Sequence, residues 1–185
     1  MNIIKKAVDF LKEDSFASWI TSLILIFIGI KFILFPLLSL LTGTNLPLVV
    51  VESCSMHHSS SFDSWWKQNG AWYEKQNITQ EEFSEYSLHN GFSKGDVIIV
   101  NSAKNIQKGD VIIFAAGVRY PIIHRLISDN KIETKGDNNL NQLNIEMDIN
   151  EEALLGKAVA RIPYVGWVKL IFFEPFRSKS ERGFC

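Results

Sequence analysis

The chain has 185 residues, a formal net charge of −1, 46% hydrophobic residues and 12% aromatics. Near-neutrality leaves no basic field for a nucleic-acid partner, and the apolar content speaks against an intrinsically disordered chain. The length admits one membrane anchor and one globular domain of roughly 130–145 residues. Two cysteines, Cys54 and Cys185, are too few for a disulfide framework. With no C-x-x-C, and with His57 and His58 the only close histidines, no metal site and no cofactor are expected.

Residues 1–17 carry Ile3, Ile4, Ala7, Val8, Phe10 and Leu11 among Lys5, Lys6, Asp9, Lys12, Glu13 and Asp14, the spacing of an amphipathic helix. Such a helix suits a membrane interface, or the surface of a soluble domain. Residues 18–42 read as a transmembrane anchor, since Trp19 to Leu41 contains only Thr21, Ser22, Lys31 and Ser39 as polar residues. Lys31 costs about 2.5–3.5 kcal/mol near the bilayer centre, and Pro36 can kink the helix. The many apolar neighbours outweigh one lysine. Lys5, Lys6 and Lys12 precede the segment and the next lysine downstream is Lys67, so a cytoplasmic N-terminus is expected. The rest of the chain would then lie outside, with the protein a single-pass component of a plasma or endoplasmic-reticulum-type membrane.

Beyond the anchor, residues 46–176 read as one domain. Leu46 to Glu52 reads as a buried strand, ending in the polar cluster Ser53-Cys54-Ser55-Met56. Residues 57–93 are polar and aromatic-rich, an insertion with one or two short helices; its tryptophans suit either a membrane interface or a core of its own. Thr79 and Glu82 form a capping box, and Asn77-Ile78-Thr79 fits the N-glycosylation pattern. From Gly95 the pattern turns β: runs at 97–100, 111–115, 118–127, 132–134 and 158–162 are separated by Gly, Asp, Asn and Lys. Gly95-Asp96-Val97-Ile98-Ile99 and Gly109-Asp110-Val111-Ile112-Ile113 are near copies. Residues 163–176 are apolar but too short to span, fit either to dock on a membrane surface or to cover the sheet, and 177–185 form a tail. The expected fold class is mainly β, an antiparallel domain preceded by an amphipathic helix and one transmembrane helix.

Serine-based peptide hydrolysis requires a hydroxyl, a base within reach and donors for the oxyanion. Ser55 offers the hydroxyl. His124 interrupts the apolar strand Ile122-Ile123-His124-Arg125-Leu126-Ile127 and is the candidate base, with a structural strand histidine as the competing reading. Asp137, in Thr134-Lys135-Gly136-Asp137-Asn138-Asn139, is the candidate third group, with an Asx-type turn as its alternative.

Taken together, Ser-x-Ser-Met after an anchor, the Gly-Asp-Val-Ile strands, Ile-Ile-His-Arg, Thr-Lys-Gly-Asp-Asn-Asn and Gly-Lys-Ala-Val-Ala-Arg-Ile-Pro-Tyr-Val-Gly-Trp resemble type I signal peptidase. Histidine where bacterial enzymes carry lysine places the resemblance in the archaeal and endoplasmic-reticulum branch. It covers residues 46–56 and 94–169. It implies a largely antiparallel β domain at the outer membrane surface that cleaves signal peptides from exported preproteins after small residues at −1 and −3. Ser55 would be the nucleophile and His124 the general base, with Asp137 the aspartate of the Lys-Gly-Asp box. Ser53 and the Ser55 N–H would form the oxyanion hole. The implied partners are preprotein signal peptides, the lipid bilayer and accessory membrane subunits.

Two departures stand out. The family's second aspartate, six residues after the Lys-Gly-Asp one, falls here on Leu143, which leaves Asp148, Glu146 or Asp137 alone to orient the histidine. The family's proline after Ser-Met is replaced by His57-His58 and the insertion. A catalytically inactive protein that binds signal-like peptides on the same scaffold is the alternative. A self-cleaving regulator fits less well, because such proteins use a lysine base.

Overall fold

The computed structural model describes residues 3–118 and 120–185. The chain divides into two compact units, Met1–Leu41 and Thr42–Cys185.

In the first unit, α1 spans Ile3–Leu11 and α2 spans Phe16–Gly29. The corner between them is tied by Ser15, whose hydroxyl accepts from Ser18 N at 3.2 Å, and by the Ser18 hydroxyl, which donates to Leu11 O at 3.0 Å. A π-helical turn, Ile30–Leu34, links α2 to α3, Phe35–Thr42. It ends two residues before Pro36, whose ring would strike the carbonyl one turn back in a regular helix; the wider turn, closed by Phe35 N–H on Ile30 O, makes room for it. The continuous helix Phe16–Thr42 has 27 residues, and its most apolar 18-residue stretch has a mean hydropathy of 2.6. At 1.5 Å per residue it is long and apolar enough to cross a hydrocarbon core of about 30 Å.

Among the described residues, the second unit is built on six strands: β1 Leu48–Val50, β2 Val97–Asn101, β3 Val111–Phe114, β4 Ile122–Leu126, β5 Thr134–Lys135 and β6 Leu154–Ile162. They form one sheet in the order β1-β2-β6-β3-β4-β5, with every neighbouring pair antiparallel. β6 is the long central strand. Register shifts at Ile99/Val100 and Ile113/Phe114 mark bulges against it, and bulges increase local twist and curl a sheet. The mainly antiparallel β domain expected from the runs of β-branched residues is therefore present.

Alternation along β3 feeds two cores. Val111 and Ile113 join Val51, Met56, Phe92, Ile98, Val100, Ile123 and Ala158, while Ile112 and Phe114 pack with Leu126 on the opposite face. With both faces covered, this strand reads as a continuous apolar run. The same alternation on β4 turns His124 and Arg125 to opposite faces, and so determines which carboxylate each of them meets.

The insertion folds into α4, Phe62–Glu74, and α5, Gln80–Ser84. Trp65, Trp66, Tyr73, Ile78 and Phe83 form a third core with Ile127, so these two tryptophans pack inward rather than facing a membrane. Thr79 caps α5, accepting from Glu82 N at 3.2 Å. The Glu82 carboxylate turns instead to the Tyr86 hydroxyl and Lys108, so only half of the expected capping box forms. After β6, residues 167–173 form α6, with Leu170 buried beneath it.

Cys54 and Cys185 are disulfide-bonded across 131 residues. In the chain-entropy picture, closing a loop of that size destabilises the unfolded chain by about 5 kcal/mol. Two cysteines are too few for a framework, but a single crosslink needs only proximity, which spacing along the chain does not report.

Candidate active site

Ser55 stands in the turn after β1. The strand's pairing with β2 continues through Val51 N–H to Asp96 O and Gly95 N–H to Val51 O, both 2.9 Å. This fixes the entry to the turn. Its exit is fixed by Met56, 1% exposed in the core, whose carbonyl accepts from Phe92 N at 2.9 Å. Between these anchors the Ser53 and Ser55 hydroxyl oxygens lie 3.2 Å apart, with Ser53 exposed and Ser55 half-buried.

The Lys-Gly-Asp segment closes over this turn. Asn138 N donates to Ser55 O at 2.7 Å, and its side-chain Nδ2 donates to Cys54 O at 3.0 Å. Asp137 N points at Met56 Sδ, 3.3 Å away. Gly136 is the point of closest approach. A Cβ there would lie 2.7 Å from His124 Nε2 and 2.9 Å from Ser55 O, closer than side-chain atoms pack. Only glycine fits between the serine turn and the histidine.

His124, 4% exposed, directs its other ring nitrogen away from the turn. Nδ1 pairs with Glu146 Oε1 in a short contact between two buried groups. In a neutral imidazole, a proton on Nδ1 would be the one that bonds to the Glu146 carboxylate, leaving Nε2 beside Gly136 with its lone pair. Glu146 is fully buried and further held by Thr134 Oγ1 at 3.3 Å and by Leu143 N at 2.6 Å. It ends a short 3-10 turn, Asn144–Glu146. Leu143 occupies the position where the resembling family carries its second aspartate; here its N–H donates to the glutamate one turn later. Asp148, the other carboxylate considered from the sequence, is exposed and has φ +61°.

Asp137, the candidate third group of the sequence, has its carboxylate on the Arg125 side of β4. Oδ1 accepts from Arg125 Nε at 3.0 Å and the Tyr73 hydroxyl at 2.9 Å; Oδ2 accepts from Arg125 Nη2 at 2.7 Å and pairs with His58 Nε2 at 3.1 Å. The remaining Arg125 donors reach the carbonyls of Ser87, Gly109 and Leu88 at 2.8, 2.8 and 3.1 Å. All five guanidinium N–H groups are used. Burial pushes the Asp137 carboxyl up, but Arg125 and then His58 outweigh it and hold the group well below its ordinary range. Burial, with Asp137 adding to it, drives the Tyr73 hydroxyl well above its own. The physical reason for this placement is the two-residue period of the strand: adjacent residues His124 and Arg125 face opposite ways, and Asp137 goes with the arginine.

Lys135 of the same box is buried at 1% exposure, donating to Gly136 O at 3.0 Å and Asn139 O at 2.7 Å above the rings of Trp72 and Tyr73. Burial pushes its ammonium down to about 8, partly offset by Asp137 and Glu146. His57 turns away from Ser55 to Ser93 Oγ at 2.9 Å, and His58 stacks on Trp65 with ring centroids 3.7 Å apart. The Ser53–Ser55 turn, braced by Asn138, and the Glu146-bound His124 thus approach each other across Gly136. Glu146 is one of three open choices in the sequence, and Asn138 is visible there only as part of a motif.

A strand-end serine turn under a histidine–carboxylate pair, on a curled antiparallel sheet, is consistent with a signal-peptidase-like domain. No family model matches the chain. The chain is similar to proteins named signal peptidase complex catalytic subunit SEC11. That of Candida tropicalis is 28% identical over 102 residues, covering 48% of this chain and 61% of that protein. The Colletotrichum graminicola protein is 30% identical over 104 residues, covering 48% and 60%, and that of Komagataella phaffii 29% over 107 residues, covering 48% and 63%. The chain thus spans about three fifths of the length of these curated relatives. The resemblance to endoplasmic-reticulum-type signal peptidase that the motifs carry is borne out by these relatives.

Proposed function

We propose that the chain is a membrane-anchored serine endopeptidase that removes N-terminal signal peptides from exported preproteins, cleaving after small residues at −1 and −3. The observation that carries this reading is the meeting of the Ser55 turn and the Glu146-bound His124 at Gly136, where only a missing side chain lets them approach. The similarity to catalytic subunits named for signal peptidase complexes supports the substrate class and accessory membrane subunits as partners.

In the proposed cycle, Ser55 Oγ attacks the scissile carbonyl while His124 Nε2 takes its proton. The same nitrogen then gives that proton to the leaving amine. Glu146 holds the imidazole in its Nδ1–H tautomer and stabilises the imidazolium that forms. Ser55 N–H and the Ser53 hydroxyl receive the oxyanion, and each such donor is worth about 10²–10³ in rate. Water, activated by the same histidine, then releases the acyl group. Asp137 takes a supporting role, fixing the Lys-Gly-Asp loop that carries Gly136 and Asn138.

The N-terminus is placed in the cytoplasm and the β domain outside. The lysine bias before the span supports this. So does the Cys54–Cys185 disulfide, which persists in oxidising compartments. The test is preprotein cleavage by the purified full chain in detergent or liposomes. Ser55→Ala and His124→Ala are each expected to lower kcat at least ~10³-fold. Near-normal turnover by either variant sinks the assignment, and preprotein binding without turnover by the unaltered chain moves the protein to a binding role.

A further inference from the structure

Residues 174–185 form a strap that is closed on itself and fastened to the serine turn. Gly183 N donates to Glu174 Oε2 at 2.9 Å, and Arg182 donates to the carbonyls of Arg177 and Pro175, both at 2.8 Å. Lys94, 2% exposed, threads the loop: its ammonium lies 2.6 Å from both Glu174 Oε1 and Glu181 O, and its backbone N–H points at Cys185 Sγ, 3.3 Å away. Phe184 stacks on Trp167 with ring centroids 4.3 Å apart. From this closed strap two attachments reach residues just ahead of the nucleophile. Arg177 donates to Glu52 O at 3.1 Å and pairs with the Glu52 carboxylate, which also takes Lys169 at 2.9 Å. Cys185 is bonded to Cys54, the residue between Ser53 and Ser55.

The serine turn is therefore gripped from two sides. The strap holds it at Glu52 and at the Cys54 side chain. Asn138 holds it at the carbonyls of Cys54 and Ser55, and His57 N–H also donates to Cys54 O at 3.1 Å. The two serine hydroxyls project from this doubly held segment.

We propose that the strap, through the Cys54–Cys185 bond, is a positioning element for the nucleophile and its oxyanion partner, and not only a staple of the fold. The inference deepens the peptidase reading and rests on it. Its force comes from location: a crosslink for stability can sit anywhere, whereas this one is made by the residue flanked by both reactive hydroxyls. A nucleophile displaced by a fraction of an ångström loses rate while the remote contacts that bind substrate persist. Releasing the strap should therefore act on kcat more than on KM.

The experiment uses the full chain in detergent, folded and oxidised, then treated with a water-soluble phosphine. The phosphine cleaves the S–S bond, two thiols form with protons from water, and the phosphine is converted to its oxide. Turnover is measured with a synthetic signal-peptide-like substrate bearing alanine one and three residues before the cut, well below the melting temperature of either form. Reduction is expected to lower kcat about tenfold with KM changed less than about twofold, and reoxidation to restore it. The Cys54→Ala/Cys185→Ala double variant should match the reduced protein and ignore the phosphine. In parallel, amide hydrogen exchange across residues 53–58 should quicken about tenfold on reduction while strands β3 and β6 stay protected. Unchanged kcat in the reduced protein, even with a lower melting temperature, overturns the proposal and leaves the disulfide as a stabiliser. If the oxidised chain cleaves nothing, the peptidase reading itself has failed; the exchange measurement then decides the strap, and unchanged exchange at 53–58 refutes it.

Discussion

His124 and Arg125 are neighbours on β4, and each ends on a buried carboxylate, yet the two pairs differ in what they leave over. Arg125 and Asp137 are saturated: every guanidinium N–H is committed, and both carboxylate oxygens carry at least two partners. His124 and Glu146 are not. One ring nitrogen is bound to the glutamate, and the other faces Gly136 and the Ser55 turn. A buried polar pair with no atom left over stabilises one arrangement of the chain, whereas one with a ring nitrogen still facing the Ser55 turn could move a proton. A carboxylate's depth in the protein would have ranked Asp137 and Glu146 equally, since both are fully buried. Their partners separate them.

Exchanging the carboxylates for their amides sharpens this contrast most. Glu146→Gln keeps the shape but can present an N–H to His124 Nδ1 and favour the wrong tautomer. By analogy with amide-for-carboxylate changes behind catalytic histidines, kcat should fall by about 10²–10⁴ if the proposed mechanism holds. The melting temperature should move little by comparison, and the acidic limb of the pH–rate profile, set by deprotonation of the proposed base, should shift. An unshifted profile and less than about a threefold loss would show that Glu146 does not orient the base.

Asp137→Asn should do the opposite. Leaving Arg125 buried against a neutral partner costs about 3–5 kcal/mol of stability, read by denaturant or thermal unfolding. Protein that remains folded at low temperature should keep most of its kcat. A loss of turnover without a loss of stability would return Asp137 to the catalytic group.

The smallest effect expected is in the pH dependence of stability. The Asp137 carboxyl titrates below its ordinary 3.8 in the folded chain. Its contribution is therefore present above about pH 4 and is lost as the pH falls through the lower folded value. Lys135 gives the same sign of slope at the other end of the pH range, but as a penalty relieved. Its folded value is pushed from 10.5 to about 8, so between those values the unfolded chain binds the extra proton and stability rises with pH. Unfolding measured at about pH 8 and about pH 10 should show that gain in the native chain and a smaller one in Lys135→Met.

The strands were legible because they are β-branched runs, two of them opened by Gly-Asp turns, and the helix at 16–42 because its apolar run outweighs Lys31 and Pro36. The motifs marked the Ser55 turn and His124 through residue type and order. The carboxylate behind the histidine was not legible. Glu146 reaches His124 because a 3-10 turn shifts the acid by three positions, and no spacing rule fixes which carboxylate such a loop delivers. The partner of Asp137 was open for a related reason, since the motif names the residue but the strand period decides its side of the sheet. The Cys54–Cys185 bond lay beyond sequence reasoning because it joins the two ends of the domain, and only the folded path of the chain brings them together.

The twin Gly-Asp turns have a consequence for how the domain is assembled. Asp96 accepts from Ser93 N and Asp110 from Gln107 N, both at 2.9 Å, and Gly95 and Gly109 hold φ of +90° and +92°. Over each glycine, in the space a Cβ would fill, sits one aromatic ring: Trp167 from α6 over Gly95, and Tyr86 from the insertion over Gly109. The sheet thus presents two equal sockets, one seating the element that leads into the strap and the other the element that contacts Arg125. What surrounds the serine turn is plugged in rather than grown from it. Peripheral pieces of quite different sequence could occupy the same sockets, provided each brings a ring.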